Sequence, residues 1–409
     1  MINSINLDEI ISRQGTDSVK WEFIVNEDGF TYGDHADPKH GDDRLLPMWV
    51  ADMDFRVPQA VEAAIIERAK QGVYGYTFPT DTYFEAVIGW FKRRHNWEIE
   101  QEWITLTPGV VPAINFMVQT FTKPGDKVMV QRPVYYPFSS AVEQNDRELV
   151  VNPLIYRNGR YHIDFDDLEA KASDTAVQML IFCNPHNPVS RIWDVDELQR
   201  LGEICLKHNV IIISDEIHCD LLFSGHQFRS MATISEEIAQ NSIICTAPSK
   251  TFNLAGLSNS NIIIPNAELR EAFKTTLNCC GLWGTNMFGM VATKAAYNEG
   301  GAWLDEVMAY VEANYHFMKD YLAEHLPQVR VIEPEGTYLI WADFSAFEID
   351  PDVRKKMMME DAKVYLDDGV MFGPEGDQFE RFNLACPRSI LAEALSRIVR
   401  VFKQEVVRY

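Results

Sequence analysis

A lysine set apart from other charges is the residue type to test first for chemistry. The stretch "ICTAPSKTFNLAGLS", from Ile244 to Ser258, carries one charged side chain, Lys250, among thiol, hydroxyl, amide and apolar groups. A lysine in an apolar pocket loses hydration, its pKa falls, and its free amine becomes a nucleophile. The alternative is a surface lysine that snorkels. The lack of other charges from Cys245 to Ser258 argues against a simple solvated face.

Three further stretches carry candidate groups. "SDEIHCDL" (Ser214–Leu221) places Asp215 and Glu216 straight after the apolar run "VIII". A carboxylate there either caps the next segment or holds a cation. His218 is either a hydrogen-bonded structural histidine or a member of a site. "CNPHNPVSR" (Cys183–Arg191) follows "QMLIF" and repeats Asn-Pro within five residues. Such a loop is rigid and presents amide side chains at fixed angles, and it equally reads as a structural strand-to-helix turn. Metal binding by Cys183 with His186 lacks a second pair at finger-type spacing. "LTPGVVPAINFMV" (Leu106–Val118) offers Gly109 for close backbone approach and Pro112 for a first helical turn. The apolar helix after it aims free N–H groups at an anion, or is a plain loop–helix junction.

These groups need elements to position them. The apolar runs "KVMV" from Lys127, "QMLIF" from Gln178, "VIIIS" from Val210, "SIICT" from Ser242 and "NIII" from Asn261 read as strands. Helical stretches such as Asp194–Asn209 separate them. Strands without polar alternation, spaced by helices, indicate an α/β fold with a mostly parallel central sheet and helices on both faces. The three candidate loops then sit at strand ends, where open α/β sheets bind ligands. "PQAVEAAIIERAKQG" from Pro58 reads as a helix with Val61, Ala64, Ile65 and Ala69 on one face. After about Met287 the pattern turns α+β. Residues 291–326 read as long and helical, "VRVIEPEGTYLIWADF" as a pair of strands, and "SILAEALSRIVRVFKQEV" as a closing helix.

Bulk properties set limits. The chain has 409 residues, of which 46% are hydrophobic and 24% charged, as in an ordinary soluble protein long enough for two or three cores. A net charge of -23 without a basic stripe disfavours nucleic acid. No G-x-G-x-x-G or G-x-x-x-x-G-K-[ST] fingerprint occurs. No run approaches membrane-span length, and the start reads without a signal peptide. Seven cysteines without CxxC fit reduced thiols in the cytoplasm.

Order and spacing carry more than any single motif. Asn187, Asp215 and Lys250 lie 28 and then 35 residues apart, each at the end of an expected strand. This resembles the pyridoxal 5'-phosphate (PLP) site of the fold-type I, aspartate aminotransferase-like superfamily, over nearly the whole chain. Five blocks in one order, "LPMWVADMDF", "YGYT", "CNPHNPV", "SDEIHCDL" and "APSKTFNLAGL", are similar to the MalY/PatB group of C–S lyases, often called cystathionine β-lyases.

The resemblance implies roles residue by residue. Lys250 matches the lysine that carries the cofactor covalently. Asp215 matches the carboxylate facing the pyridine nitrogen, and Asn187 the amide on the ring hydroxyl. His218 stands where many aminotransferases have a tyrosine near that hydroxyl. Tyr135 matches the aromatic stacked on the ring, with Tyr136 as the alternative. Gly109 and Val110 match the phosphate-cradling turn, to which Ser249 or Thr246 adds a hydroxyl. Tyr76 matches a tyrosine that reaches the neighbouring subunit's phosphate, which implies a homodimer. Arg381 matches the guanidinium that binds the substrate α-carboxylate, with Arg388 as its competitor.

Two departures stand out. Ser258 occupies the position where many superfamily members place an arginine that balances the phosphate. This favours the lyase group over a typical transaminase. Ser190 replaces the glycine expected after "NPV", which strains the turn if the position needs a positive φ. The resemblance thus implies a large PLP-binding domain over residues 46–290 and a smaller α+β domain from residues 1–45 and 291–409. The implied activity is β-elimination from L-cystathionine or related cysteine S-conjugates, with an L-amino acid aminotransferase as the alternative and no metal.

Overall fold

The apolar runs in the middle of the chain assemble into one sheet. In the computed structural model, which describes residues 5–26, 29–37, 43–282 and 284–406, its strands are β1 (Ile104–Thr107), β2 (Lys127–Val130), β3 (Glu148–Val151), β4 (Val177–Cys183), β5 (Ile211–Asp215), β6 (Ser242–Thr246) and β7 (Ser260–Ile263). The spatial order is β1-β7-β6-β5-β4-β2-β3. β7 runs antiparallel to both neighbours, and the other pairs are parallel. Side chains alternate between two cores. Met179, Ile181, Ile213 and Ile243 enter one with Ile114, Met117 and Phe273. Leu180, Phe182, Ile212 and Ile244 enter the other with Leu198 and Leu201. Burial on both faces is why these strands show no polar alternation.

Parallel strands share a carboxyl edge. The register pairs Asp215, the last residue of β5, with Cys183 of β4 on one side and Cys245 of β6 on the other. The helix Val110–Phe121 starts directly beyond β1 on that same edge. Between β4 and β5 the helix Val195–His208 begins with a capping box of Asp194 and Glu197 and ends at Asn209 in the left-handed region, φ +57°. The chain therefore turns sharply at both helix ends.

The helical stretch over 291–326 is two helices, Met287–Glu299 and Gly301–His325, not one. The break falls at Gly300. A Cβ there would lie 2.5 Å from the Phe252 ring, so the glycine lets the helix end press on the residue two beyond Lys250. The expected strand pair is Arg330–Val331 with Leu339–Asp343. It joins Phe379–Asn383 and Asp367–Asp368 in an antiparallel four-stranded sheet. Arg388–Val406 forms the closing helix. Ser190 has φ +58°, and its buried hydroxyl donates to the Leu339 carbonyl. The turn does need a positive φ, and that bond offsets the cost a side chain meets there. Among the described residues, no helix is long and apolar enough to cross a membrane.

The N-terminal part is tied to the C-terminal part. Leu46–Pro47 pairs in parallel with Val364–Tyr365. Buried Lys20 and Trp21 both donate to Asp54, at 2.7 Å each, and Arg13 forks onto Asp52. Residues 49–55 form a strap stitched down by distant side chains. Asn383 Nδ2 donates to the carbonyls of Val50 (2.7 Å) and Asp52 (2.6 Å). Asn253 Nδ2 donates to those of Met53 (2.9 Å) and Phe55 (3.1 Å). Asn383 Oδ1 also accepts from Ala385 N. Replacing Asn383 with alanine leaves these buried backbone groups without partners. Denaturant unfolding of Asn383→Ala is expected to show a loss of about 2–4 kcal/mol; a loss under about 0.5 kcal/mol would mean the strap is held elsewhere.

Candidate active site

A cavity of about 190 Å³ lies at the carboxyl edge of the parallel strands. Lys250 enters it from the short helix Pro248–Thr251 beyond β6. Its Nζ donates to the Ala51 carbonyl at 2.7 Å, so the amine is held by a neutral dipole and not by a carboxylate. Burial lowers its pKa to about 8. The Arg381 charge pushes the same way, and Asp52 and Asp215 oppose it. An amine in this range is partly unprotonated near neutral pH and competent as nucleophile and base.

Asp215 lines the cavity floor, accepting a hydrogen bond from Ile217 N at 3.1 Å. Burial raises its pKa to about 7; that hydrogen bond and Lys250 only partly counteract it. A buried acid at this poise is stabilised as carboxylate by any cation placed against it. Asn187 Oδ1 accepts from Arg381 Nη1 at 2.9 Å, which leaves its Nδ2 donor for the cavity. His218 also lines the cavity. Burial first, then Lys250 and Arg381, hold its pKa well below the usual value, so the ring is neutral, and its Nδ1 is buried without a partner.

One wall of the cavity is suited to an anion. Gly109, Val110 and Val111 form its wall where the twelve-residue helix Val110–Phe121 begins, and that helix has no side-chain cap. Its first N–H groups and dipole are therefore uncompensated. Ser249 and Ser258 line the same cavity. A Cβ on Gly109 would crowd Pro112 Cδ at 3.3 Å. The cavity thus offers an amine, an acid poised for a cation, an amide donor and an anion cradle. That donor set fits pyridoxal phosphate: aldehyde, pyridine nitrogen, ring hydroxyl and phosphate in turn.

Not every expected residue reaches this cavity. Lys250, Asp215, Asn187, His218, Tyr135, Gly109, Val110 and Ser249 all line it. Tyr135 is partly buried and lines the cavity, whereas Tyr136 is half-exposed and lies outside the lining. Thr246 does not reach it: its hydroxyl donates to the Asn261 carbonyl at 2.9 Å, inside the sheet. Arg381 is buried directly behind Asn187. Arg388 is elsewhere, with Nε on Asn314 Oδ1 and its guanidinium over the Phe317 ring. Tyr76 is 94% exposed and does not line the cavity of its own chain.

Other functional positions were not visible in sequence. The Ala51 carbonyl accepts from Lys250 and, at 2.9 Å, from the Tyr338 hydroxyl. Asp367 pairs with Arg381. Val111 and Asn259 also line the cavity, beside Ser258, the position the sequence marks by its missing arginine. The block "LPMWVADMDF" was a signal for the strap, but nothing in it marks a backbone carbonyl as the acceptor.

Comparison with known proteins finds relatives along nearly the whole chain. The family described as "Aminotransferase class I and II" matches residues 47–398. The chain is 45% identical over 394 residues to the cystathionine beta-lyase PatB of Bacillus subtilis (strain 168), covering 96% of this chain and 99% of that one. Its fold is similar to the crystal structure of cystalysin from Treponema denticola, which contains a pyridoxal 5'-phosphate cofactor (TM-score 0.91, 37% identity, 98% and 99% of the two chains covered). It is also similar to the PLP-bound C–S lyase from Staphylococcus hominis (TM-score 0.87, 34% identity, 97% of each chain covered).

The Lys250 environment is testable without substrate. Acetylation of Lys250 in the cofactor-free protein, followed by mass spectrometry across pH, should show a rate midpoint near 8. A midpoint at the ordinary 10.5 would contradict a desolvated amine.

Proposed function

Since this chain belongs to the class I and II aminotransferase family, we propose that it is a PLP-dependent carbon–sulfur β-lyase. It cleaves L-cystathionine or related cysteine S-conjugates to a thiol, pyruvate and ammonia. The observation that carries this reading is a single cavity in which the Lys250 amine, hydrogen-bonded to a backbone carbonyl, shares space with Asp215, Asn187 and an uncapped helix start. The names of the relatives, cystathionine beta-lyase and C–S lyase, support β-elimination over transamination.

When bound, PLP supplies an electron sink for negative charge developing at the substrate Cα. The protein's residues do the rest. Asp215 would hold the proton on the pyridine nitrogen. Asn187 Nδ2, its amide oriented by Arg381, would donate to the ring hydroxyl. Tyr135 would pack against the ring. The N–H groups of Gly109 and Val110 and the Ser249 hydroxyl would hold the phosphate. Arg381 takes the α-carboxylate. The Lys250 amine removes the Cα proton. The Cβ–S bond then breaks with its electron pair on sulfur, and the three-carbon remainder hydrolyses to pyruvate and ammonia.

Residues 46–290 act as the cofactor-binding domain, and residues 1–45 with 291–409 as a smaller one. The separate seven- and four-stranded sheets support this division. The working form is a homodimer: Val73, Tyr74, Tyr76 and Phe78 expose an apolar loop that a second copy would cover, delivering Tyr76 to the neighbouring phosphate. Seven free cysteines support a reducing, cytoplasmic setting.

Purified, cofactor-loaded protein mixed with L-cystathionine should release pyruvate and free thiol in equal amounts without a keto acid acceptor. Lys250→Ala should lose about a thousandfold or more of that activity. Absence of release, followed by turnover once a keto acid is added, would replace the lyase with an aminotransferase.

A further inference from the structure

Arg381 is a cation whose charge is already answered. Its Nη2 meets Asp367 Oδ2 in a buried ion pair and donates to the Trp49 carbonyl at 2.8 Å. Its Nη1 donates to Asn187, and the Phe372 ring lies 5.0 Å from the guanidinium carbon. Only Nε is buried without a partner. The pairing is built into the backbone: Asp367 and Arg381 are direct partners across the antiparallel strands Asp367–Asp368 and Phe379–Asn383. A substrate carboxylate arriving at Arg381 therefore meets a guanidinium that already carries one carboxylate.

Two carboxylates cannot both stay ionised on one buried guanidinium without a large penalty. We propose that Asp367 is a positioning residue that sets substrate affinity: it competes with the substrate's α-carboxylate for Arg381, and tight binding is completed by one proton passing from water to Asp367. This rests on the reading of Arg381 as the carboxylate-binding residue. The only bond formed is O–H on Asp367, and the proton comes from solvent.

The surroundings of Asp367 favour that proton. Burial raises its pKa above the ordinary carboxylate value, and Asp368 adds to this; Arg381 and Lys355 oppose it. Lys355 is itself paired with Asp368 at 3.2 Å. Glu380, on the adjacent strand, is bonded to Arg354 at 2.8 Å. The phenols of Tyr135, Tyr136 and Tyr365 complete the charged and titratable groups around it. A substrate carboxylate bound to Arg381 offsets the larger of these two opposing charges. Binding then weakens as pH rises, because the proton becomes harder to supply.

The test uses cofactor-loaded enzyme. In Asp367→Asn, and in Asp367→Ser should the first fold poorly, KM for L-cystathionine at pH 8 should fall about tenfold, and by a larger factor than kcat changes. Calorimetry with 3-(methylthio)propionate, an amine-free carboxylate, in two buffers of different ionisation enthalpy should show proton uptake in the wild type that is lost in the variant. A higher KM in both variants would mean that Asp367 only holds Arg381 in place. Equal proton uptake in wild type and variant would also overturn the proposal. Arg381→Lys separates the two readings. A KM raised about tenfold or more keeps Arg381 as the carboxylate site. An unchanged KM rejects that role, and the role of Asp367 with it.

Discussion

The hydrogen bond from Lys250 Nζ to the Ala51 carbonyl is the contact on which the site depends. A buried amine beside a carboxylate would be locked as ammonium. A carbonyl satisfies the N–H without fixing the charge, so burial can bring the pKa down to about 8. This requires a backbone carbonyl at a precise point, delivered by residues 199 positions away in sequence. The strap over 49–55 performs that delivery. It is anchored from below by Asn253 and Asn383, and from the N-terminal side by Lys20, Trp21 and Arg13. Arg13, Lys20 and Trp21 thereby help to place a carbonyl in the cavity although none of the three lines it.

The sheet supplies the other half of the geometry. Parallel strands align their carboxyl ends, so Asp215 and the loops carrying Asn187 and Lys250 face one space without long excursions. Placing a helix start on the same edge lets an anion cradle and the poised acid line one space. Charge is balanced in layers: Arg381 faces Asn187 in front and Asp367 behind. The cation behind Asn187 therefore already carries one carboxylate.

Much of this was legible in the sequence, for physical reasons. Apolar runs without alternation announce strands buried on both faces, and five of the central strands were read that way. A lysine stripped of charged neighbours announces desolvation. What could not be read depended on direction or distance. Thr246 ends a strand, and only the sheet geometry shows that its hydroxyl bonds the neighbouring strand and not the cavity. Tyr135 and Tyr136 differ only in which way the chain turns after β2. The break at Gly300 comes from its approach to Phe252, a tertiary contact that helical periodicity does not encode. The Ala51 carbonyl and the Asp367 carboxylate gain their meaning from partners on other segments, and neither residue type signals it alone.

The central claim is that Lys250 is the residue that takes the cofactor. Borohydride reduction of the cofactor-loaded protein, followed by digestion and mass spectrometry, tests it most directly. The account predicts one pyridoxyl group per chain, on the peptide that contains Lys250. A label on any other lysine, or a loaded protein in which reduction fixes nothing, would contradict it.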